Sequence, residues 1–120
     1  MALTRGDIVW VSLPAPAGTP GREQFGTRPA IVVQQAAGYA SLPTVLVVPL
    51  TSNRRTLRLP GTMPVEKSTA SGLATDSVAL IFQVRAIDRE RVGKRLGRLS
   101  PSESRVLDEK LASVLGLAGR

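Results

Sequence analysis

The chain of 120 residues contains neither cysteine nor histidine. Without cysteine there is no disulfide framework and no thiolate nucleophile. Without histidine it lacks both the commonest acid–base group near neutral pH and the commonest zinc ligand. Carboxylates are scarce too: there are nine Asp and Glu, and no pair sits at metal-binding spacing on a recognisable loop or helix. A metal-dependent nuclease is therefore not expected, and no cofactor is implied. Only four residues are aromatic, Trp10, Phe25, Tyr39 and Phe82, so any core must be built from Val, Leu, Ile and Ala. No apolar run approaches the length of a membrane-spanning helix. The opening residues Met1 to Arg5 lack the basic-then-apolar layout of a secretory signal. The expected location is the cytoplasm, with no membrane partner.

What is abundant is positive charge. Sixteen Lys and Arg against nine acids give a net charge of +7, and arginine outnumbers lysine thirteen to three. Arginine binds phosphate in a bidentate fork and stacks on bases, which fits a nucleic-acid partner. A GC-rich coding genome would produce the same bias of Arg over Lys. The sign of the charge stands under either explanation.

The length allows one domain, expected to span residues 1–120. Asp7 to Ser12 reads as a strand with Val9 and Val11 on one face and Ile8 and Trp10 on the other. Residues 13–27 form a long Pro/Gly-rich loop, of the kind that is usually functional or mobile, and read as a flap. Pro29 to Gln35 and Val45 to Leu50 are near-continuous β-branched runs, expected as buried central strands. A loop over 52–62, a short edge strand from Met63 to Glu66, and strands over Ser77 to Gln83 and Val92 to Leu99 follow. One helix is expected, at the end. Ser100 is its N-cap, Pro101 its first residue, Glu103 completes a capping box and Gly116 stops it. Leu107, Leu111, Val114 and Leu115 form its apolar face. The result is mainly β with a C-terminal α-helix: a small, curved antiparallel sheet.

Two segments carry the chemistry. Glu23-Gln24-Phe25-Gly26-Thr27-Arg28-Pro29 leads into one central strand, and Val48-Pro49-Leu50-Thr51-Ser52-Asn53 closes the next. If those strands are antiparallel neighbours, Arg28 and Thr51 face each other at one end of the sheet. A guanidinium beside a hydroxyl makes a site for a phosphate group. The pairing of these two segments resembles the MazF/PemK family of toxin endoribonucleases. Arg5-Gly6-Asp7-Ile8-Val9-Trp10, Gln83-Val84-Arg85-Ala86-Ile87-Asp88 and Gly93 to Leu99 match further family segments in the right order, from about residue 5 to about 115.

The resemblance implies an SH3-like barrel with a C-terminal helix, assembled as a homodimer. It also implies the toxin of a type II toxin–antitoxin pair, cutting single-stranded messenger or ribosomal RNA without a metal and countered by an acidic cognate antitoxin. Arg28 inherits the role of catalytic arginine, stabilising charge that builds on the phosphoryl oxygens. Its pKa above about 12 keeps it from acting as a free base. Thr51 offers a hydroxyl to a phosphoryl oxygen or a bridging water. Glu23 is the third candidate, either taking the 2′-hydroxyl proton or orienting Arg28 by an ion pair. RNA contacts are expected from Gln24, Phe25, Ser52, Asn53, Arg54, Arg55, Arg58 and Arg85. The basic run 85–98 is read partly as an RNA track and partly as a solvated face. Phe25 and Trp10 are the aromatics placed to reach a base for stacking, with Trp10 read first as core or dimer interface.

The PemK branch carries an Arg-x-Asp pair where this chain has Leu80 and Phe82, and a histidine where it has Arg22. The arrangement is thus closer to the MazF type. The alternative from another class is a non-enzymatic poison of DNA gyrase, of the CcdB type, which would have no need of Arg28 and Thr51.

Overall fold

A computed structural model describes residues 2–14 and 25–117. Seven strands and one α-helix follow in the order β1 (Asp7–Leu13), β2 (Gly26–Val32), β3 (Thr44–Thr51), β4 (Thr62–Val65), β5 (Ser77–Leu80), β6 (Arg85–Asp88), β7 (Val92–Arg98) and α1 (Pro101–Val114). Three short 3-10 turns, Arg54–Arg58, Ile81–Gln83 and Arg89–Arg91, punctuate them. Every described strand pairing is antiparallel, and the sheet runs β4-β5-β3-β2-β1-β7, with β6 also paired to β3. The expected class is borne out.

Strand β3 organises the curvature. Thr44 to Val47 pair with β6, whereas Leu50 and Thr51 pair with β5. The change of partner falls at the Ile81–Gln83 turn, which divides the expected strand 77–83 and seats Ile81 in the core. One strand is therefore shared by two half-sheets, and the whole curls. β6 went unread as a strand because its four residues are mostly polar or half-exposed; pairing with β3 holds it, not an apolar pattern.

Both faces of the three central strands are buried, as near-continuous apolar runs require. Alternate residues go to opposite faces. Ile8, Ile31, Val48 and Leu50 join Met63, Ile81 and Leu107 in one cluster, while Val9, Val11, Val32, Val45, Val47 and Ile87 form another. Helix α1 closes the first. Ser100 accepts from the Glu103 N–H at 3.1 Å and Glu103 accepts from the Ser100 N–H at 2.9 Å, completing the capping box. At the other end Gly116 has φ +75°, and Gly116 and Leu117 donate back to Ser113 and Ala112, ending the helix in a Schellman turn. Leu107 is wholly buried, but Val114 and Leu115 at the far end of the apolar face are exposed.

The Arg-Gly-Asp opening is structural. Arg5 bonds the Val33 carbonyl at 2.9 Å and pairs with Asp108 of the helix at 2.6 Å. Asp7, 1% exposed, accepts from the Thr4 N–H at 2.8 Å and takes Arg98 at 3.0 Å and Arg95 at 3.4 Å. Much of the basic run is thus engaged within the chain: Arg89 bonds the Leu42 and Tyr39 carbonyls and Arg91 the Ser12 carbonyl. Asp7→Ala removes the carboxylate that ties β7 to β1. It is expected to cost about 2–3 kcal/mol, the scale of lost charged hydrogen bonds. Urea denaturation checks this; an unchanged midpoint would mean that water satisfies both arginines equally well.

The sheet does not close. β4 and β7 are its ends, and the β4–β5 loop spans the gap, with the Arg98 N–H donating to the Ala70 carbonyl at 2.9 Å. Among the described residues no helix is long and apolar enough to cross a membrane.

Candidate active site

The gap and the frayed end of the β2–β3 ladder together create the site. That ladder ends at Ala30 opposite Pro49, with a second proline, Pro29, next along β2. Proline has no N–H to give, so pairing stops there. Extending the register by two pairs sets Arg28 opposite Thr51, on the same face and without a ladder between them. Antiparallel neighbours with their mouths at one end were expected, and the geometry is as expected. Arg28 itself lies inside β2, opposite Val11 of β1, because the strand begins earlier than the apolar run.

Here the chain forms an open groove of about 400 Å³. Arg28, Thr51 and Ser52 line one side, while Gly72 to Thr75 of the β4–β5 loop, Trp10 and Leu96 line the rest. The Arg28 guanidinium is half-buried. Its Nε donates to the Phe25 carbonyl at 3.2 Å and an Nη to the Leu50 carbonyl at 3.3 Å. Burial lowers its pKa from the ordinary value, since desolvation disfavours the charged form. Lodging a cation against two carbonyls fixes the direction of the fork before any anion arrives. Thr51 Oγ1 accepts from the Asn53 N–H at 3.2 Å. The hydroxyl is thereby oriented while keeping its proton to donate.

Beyond Thr51 the chain enters the 3-10 turn Arg54–Arg58. Asn53 caps it by accepting from the Arg55 N–H at 3.2 Å, so its carbonyl oxygen has a structural job. Arg54, Arg55 and Arg58 are exposed on this turn, one step from the groove. Phe25, whose carbonyl holds Arg28, is 44% exposed, and its side chain does not line the groove. Arg85, on β6 opposite Val47, does not line the groove. Glu23 and Gln24, with residues 15–24 of the flap expected over 13–27, lie outside the described residues, while Leu13 ends β1 and Gly26 and Thr27 begin β2.

Sequence reasoning missed the other wall. Residues 72–77 and Leu96 carry no motif of functional type, and only the glycines hint at their role. A Cβ on Gly72 would lie 1.9 Å from the Leu96 carbonyl oxygen, and one on Gly97 would lie 2.2 Å from that of Ala70. The two backbones pass so closely that both positions need glycine. Trp10, expected in the core or at a dimer interface, is not core: it lines the groove and is 38% exposed.

An open, curled antiparallel sheet with a C-terminal helix and an arginine–threonine pair lining one groove at the end of its central strands defines a small, basic, mainly β domain. A family model for the PemK-like, MazF-like toxins of type II toxin–antitoxin systems matches residues 4–115. The chain belongs to that family. Among solved structures, MazF from Deinococcus radiodurans is 25% identical with a TM-score of 0.77, covering 97% of this chain and 98% of its own. An endoribonuclease from a mycobacterial species, solved with its cognate antitoxin, is 23% identical with a TM-score of 0.75, covering 99% of this chain and 100% of its own. The Mycobacterium tuberculosis toxin MazF-mt6 is 22% identical with a TM-score of 0.73, covering 92% and 97%. These likenesses extend over nearly the whole of each chain.

Proposed function

We propose that the protein is a cytoplasmic endoribonuclease toxin that cuts single-stranded RNA at the Arg28–Thr51 groove. The observation that carries this reading is the convergence of a pre-set guanidinium and an oriented hydroxyl where the central ladder ends. In the reaction the ribose 2′-oxygen attacks the adjacent phosphorus and the P–O5′ bond breaks. The products are a 2′,3′-cyclic phosphate and a 5′-hydroxyl. Arg28 and Thr51 act on the phosphoryl oxygens as charge builds there, which requires neither group to titrate. The 2′-hydroxyl proton needs an acceptor. Glu23 either takes it or orients Arg28, and the O5′ leaving group is protonated as it departs.

The test uses mixed-sequence RNA and excess EDTA. Cleavage should persist, the new 5′ ends should accept phosphate from a kinase without prior dephosphorylation, and the pH profile should have no histidine limb near ~6.5. Activity abolished by chelation and restored by magnesium would sink the mechanism.

We further propose a homodimer and an acidic antitoxin. The exposed Leu46, Leu115 and Leu117 and the half-buried Leu111 and Val84 surround an apolar hollow of about 420 Å³ beside the helix. A second copy would cover it. Static light scattering should give twice the chain mass at micromolar concentration, and Leu115→Glu should halve it. A wild-type monomer would contradict the dimer. The charge of +7 suits a flexible acidic segment, and the solved mycobacterial and Deinococcus relatives in complex with their antitoxins support such a partner.

A further inference from the structure

The groove has an apolar half that the phosphate chemistry does not use. On β1 the residues around Trp10 are buried: Asp7, Ile8, Val9, Val11 and Leu13. Trp10 alone among the large side chains of this strand turns outward, 38% exposed. It pairs in register with Pro29, one step along from the pair of Val11 and Arg28. The flank toward β7 is kept low by Gly93, where an added Cβ would touch the Trp10 Cβ at 3.6 Å. Leu73, Leu96 and Thr75 complete the lining on this side.

A large amphipathic ring left partly in water, beside a proline and next to the anchored cation, is poorly explained by core packing. Proteins that hold single-stranded nucleic acid use such rings as stacking platforms, because every base has a π-face. We infer that Trp10 with Leu73 and Leu96 forms a base subsite, receiving an unstacked nucleobase of the nucleotide beside the phosphate held by Arg28. This rests on the nuclease reading and adds a specificity-determining residue to it. A base seated here would set the register of the strand, so that one particular phosphate meets Arg28 and Thr51.

Trp10 is the only tryptophan, so its emission reports the subsite directly. The probe is a 2′-O-methyl oligonucleotide of a sequence that the wild-type protein has been mapped to cut. Titration should quench Trp10 emission in parallel with the rise in anisotropy of the labelled probe. Trp10→Leu should bind it about tenfold or more weakly and should spread cleavage of RNA over neighbouring phosphates as the register is lost. Trp10→Phe should recover most of the affinity. Removing the base of the nucleotide next to the cut should cost wild type a similar factor and cost Trp10→Leu almost nothing, an effect that a structural role for Trp10 would not produce. Wild-type cleavage with unquenched emission, or equal abasic penalties in the two proteins, would overturn the subsite and leave the nuclease reading intact. A wild-type protein that cuts no RNA would remove both.

Discussion

Arg28→Ala should slow single-turnover cleavage at saturating RNA by on the order of a hundredfold or more, the scale seen when one fixed donor to a developing oxyanion is lost. Arg28→Lys should recover only part of the rate. An ammonium keeps the charge but cannot span the Phe25 and Leu50 carbonyls with a planar fork. Thr51→Val should also slow the reaction, and since the Asn53 N–H it abandons is exposed, the fold should hold. Arg54→Ala, Arg55→Ala and Arg58→Ala should instead weaken RNA affinity and flatten its salt dependence, leaving the saturated rate nearly unchanged.

Stability separates the two groups further. Burial lowers the Arg28 pKa, so the folded state holds that proton less tightly than the unfolded chain. The sign is unfavourable to folding at all pH values below the folded pKa, including neutrality. Arg28→Ala removes that cost together with the bonds to the Phe25 and Leu50 carbonyls, so its stability should change far less than its activity. Wild-type cleavage by Arg28→Ala and Thr51→Val at saturating RNA would place catalysis elsewhere.

Gly97→Ala is expected to be, with Gly72→Ala, among the most damaging single methyl additions in the described residues. Its Cβ would sit 2.2 Å from the Ala70 carbonyl oxygen and 2.4 Å from the Ser71 carbonyl carbon. Neither atom can yield as a side-chain tip would, so β7 and the β4–β5 loop must separate. The Arg98–Ala70 hydrogen bond that spans the open sheet is the contact most exposed to that separation. We expect a loss of about 3 kcal/mol or more, at the upper end of overpacking costs, and a drop in activity because the loop is one wall of the groove. Gly93→Ala, on the same strand with neighbours at 3.5 and 3.6 Å, should change stability by less than about 1 kcal/mol. Similar thermal midpoints for the two variants would show that the loop is not held by this crossing.

The local elements were legible because local rules write them. Ser100, Pro101, Glu103 and Gly116 specify the helix ends through caps that need only neighbouring backbone. The apolar runs after Pro29 and around Val45 to Leu50 specify buried strands through their composition alone. The Arg28 and Thr51 motifs sit at strand ends for the same reason, so their juxtaposition required only one further assumption, an antiparallel pairing. β6 and the 3-10 break at Ile81–Gln83 were not legible, since the switch of partner along β3 creates them. Nor was it legible that Arg95 and Arg98 neutralise a buried Asp7 91 residues or fewer away, because a charge run looks the same whether it faces water or a distant carboxylate.

By itself, the sequence determined the strand–helix composition, the positive charge, and the two short segments that bring an arginine and a threonine to the ends of buried strands. Each of these depends on residues within a few positions of one another. Only the tertiary structure decided that Trp10 faces the groove, that most of the 85–98 run is engaged within the chain, and that a loop without a motif supplies the second wall. Those outcomes depend on which backbones meet across the curled sheet, and a close approach that leaves no room for a Cβ, such as Gly72 against Leu96, is set by contacts between segments that share no local pattern.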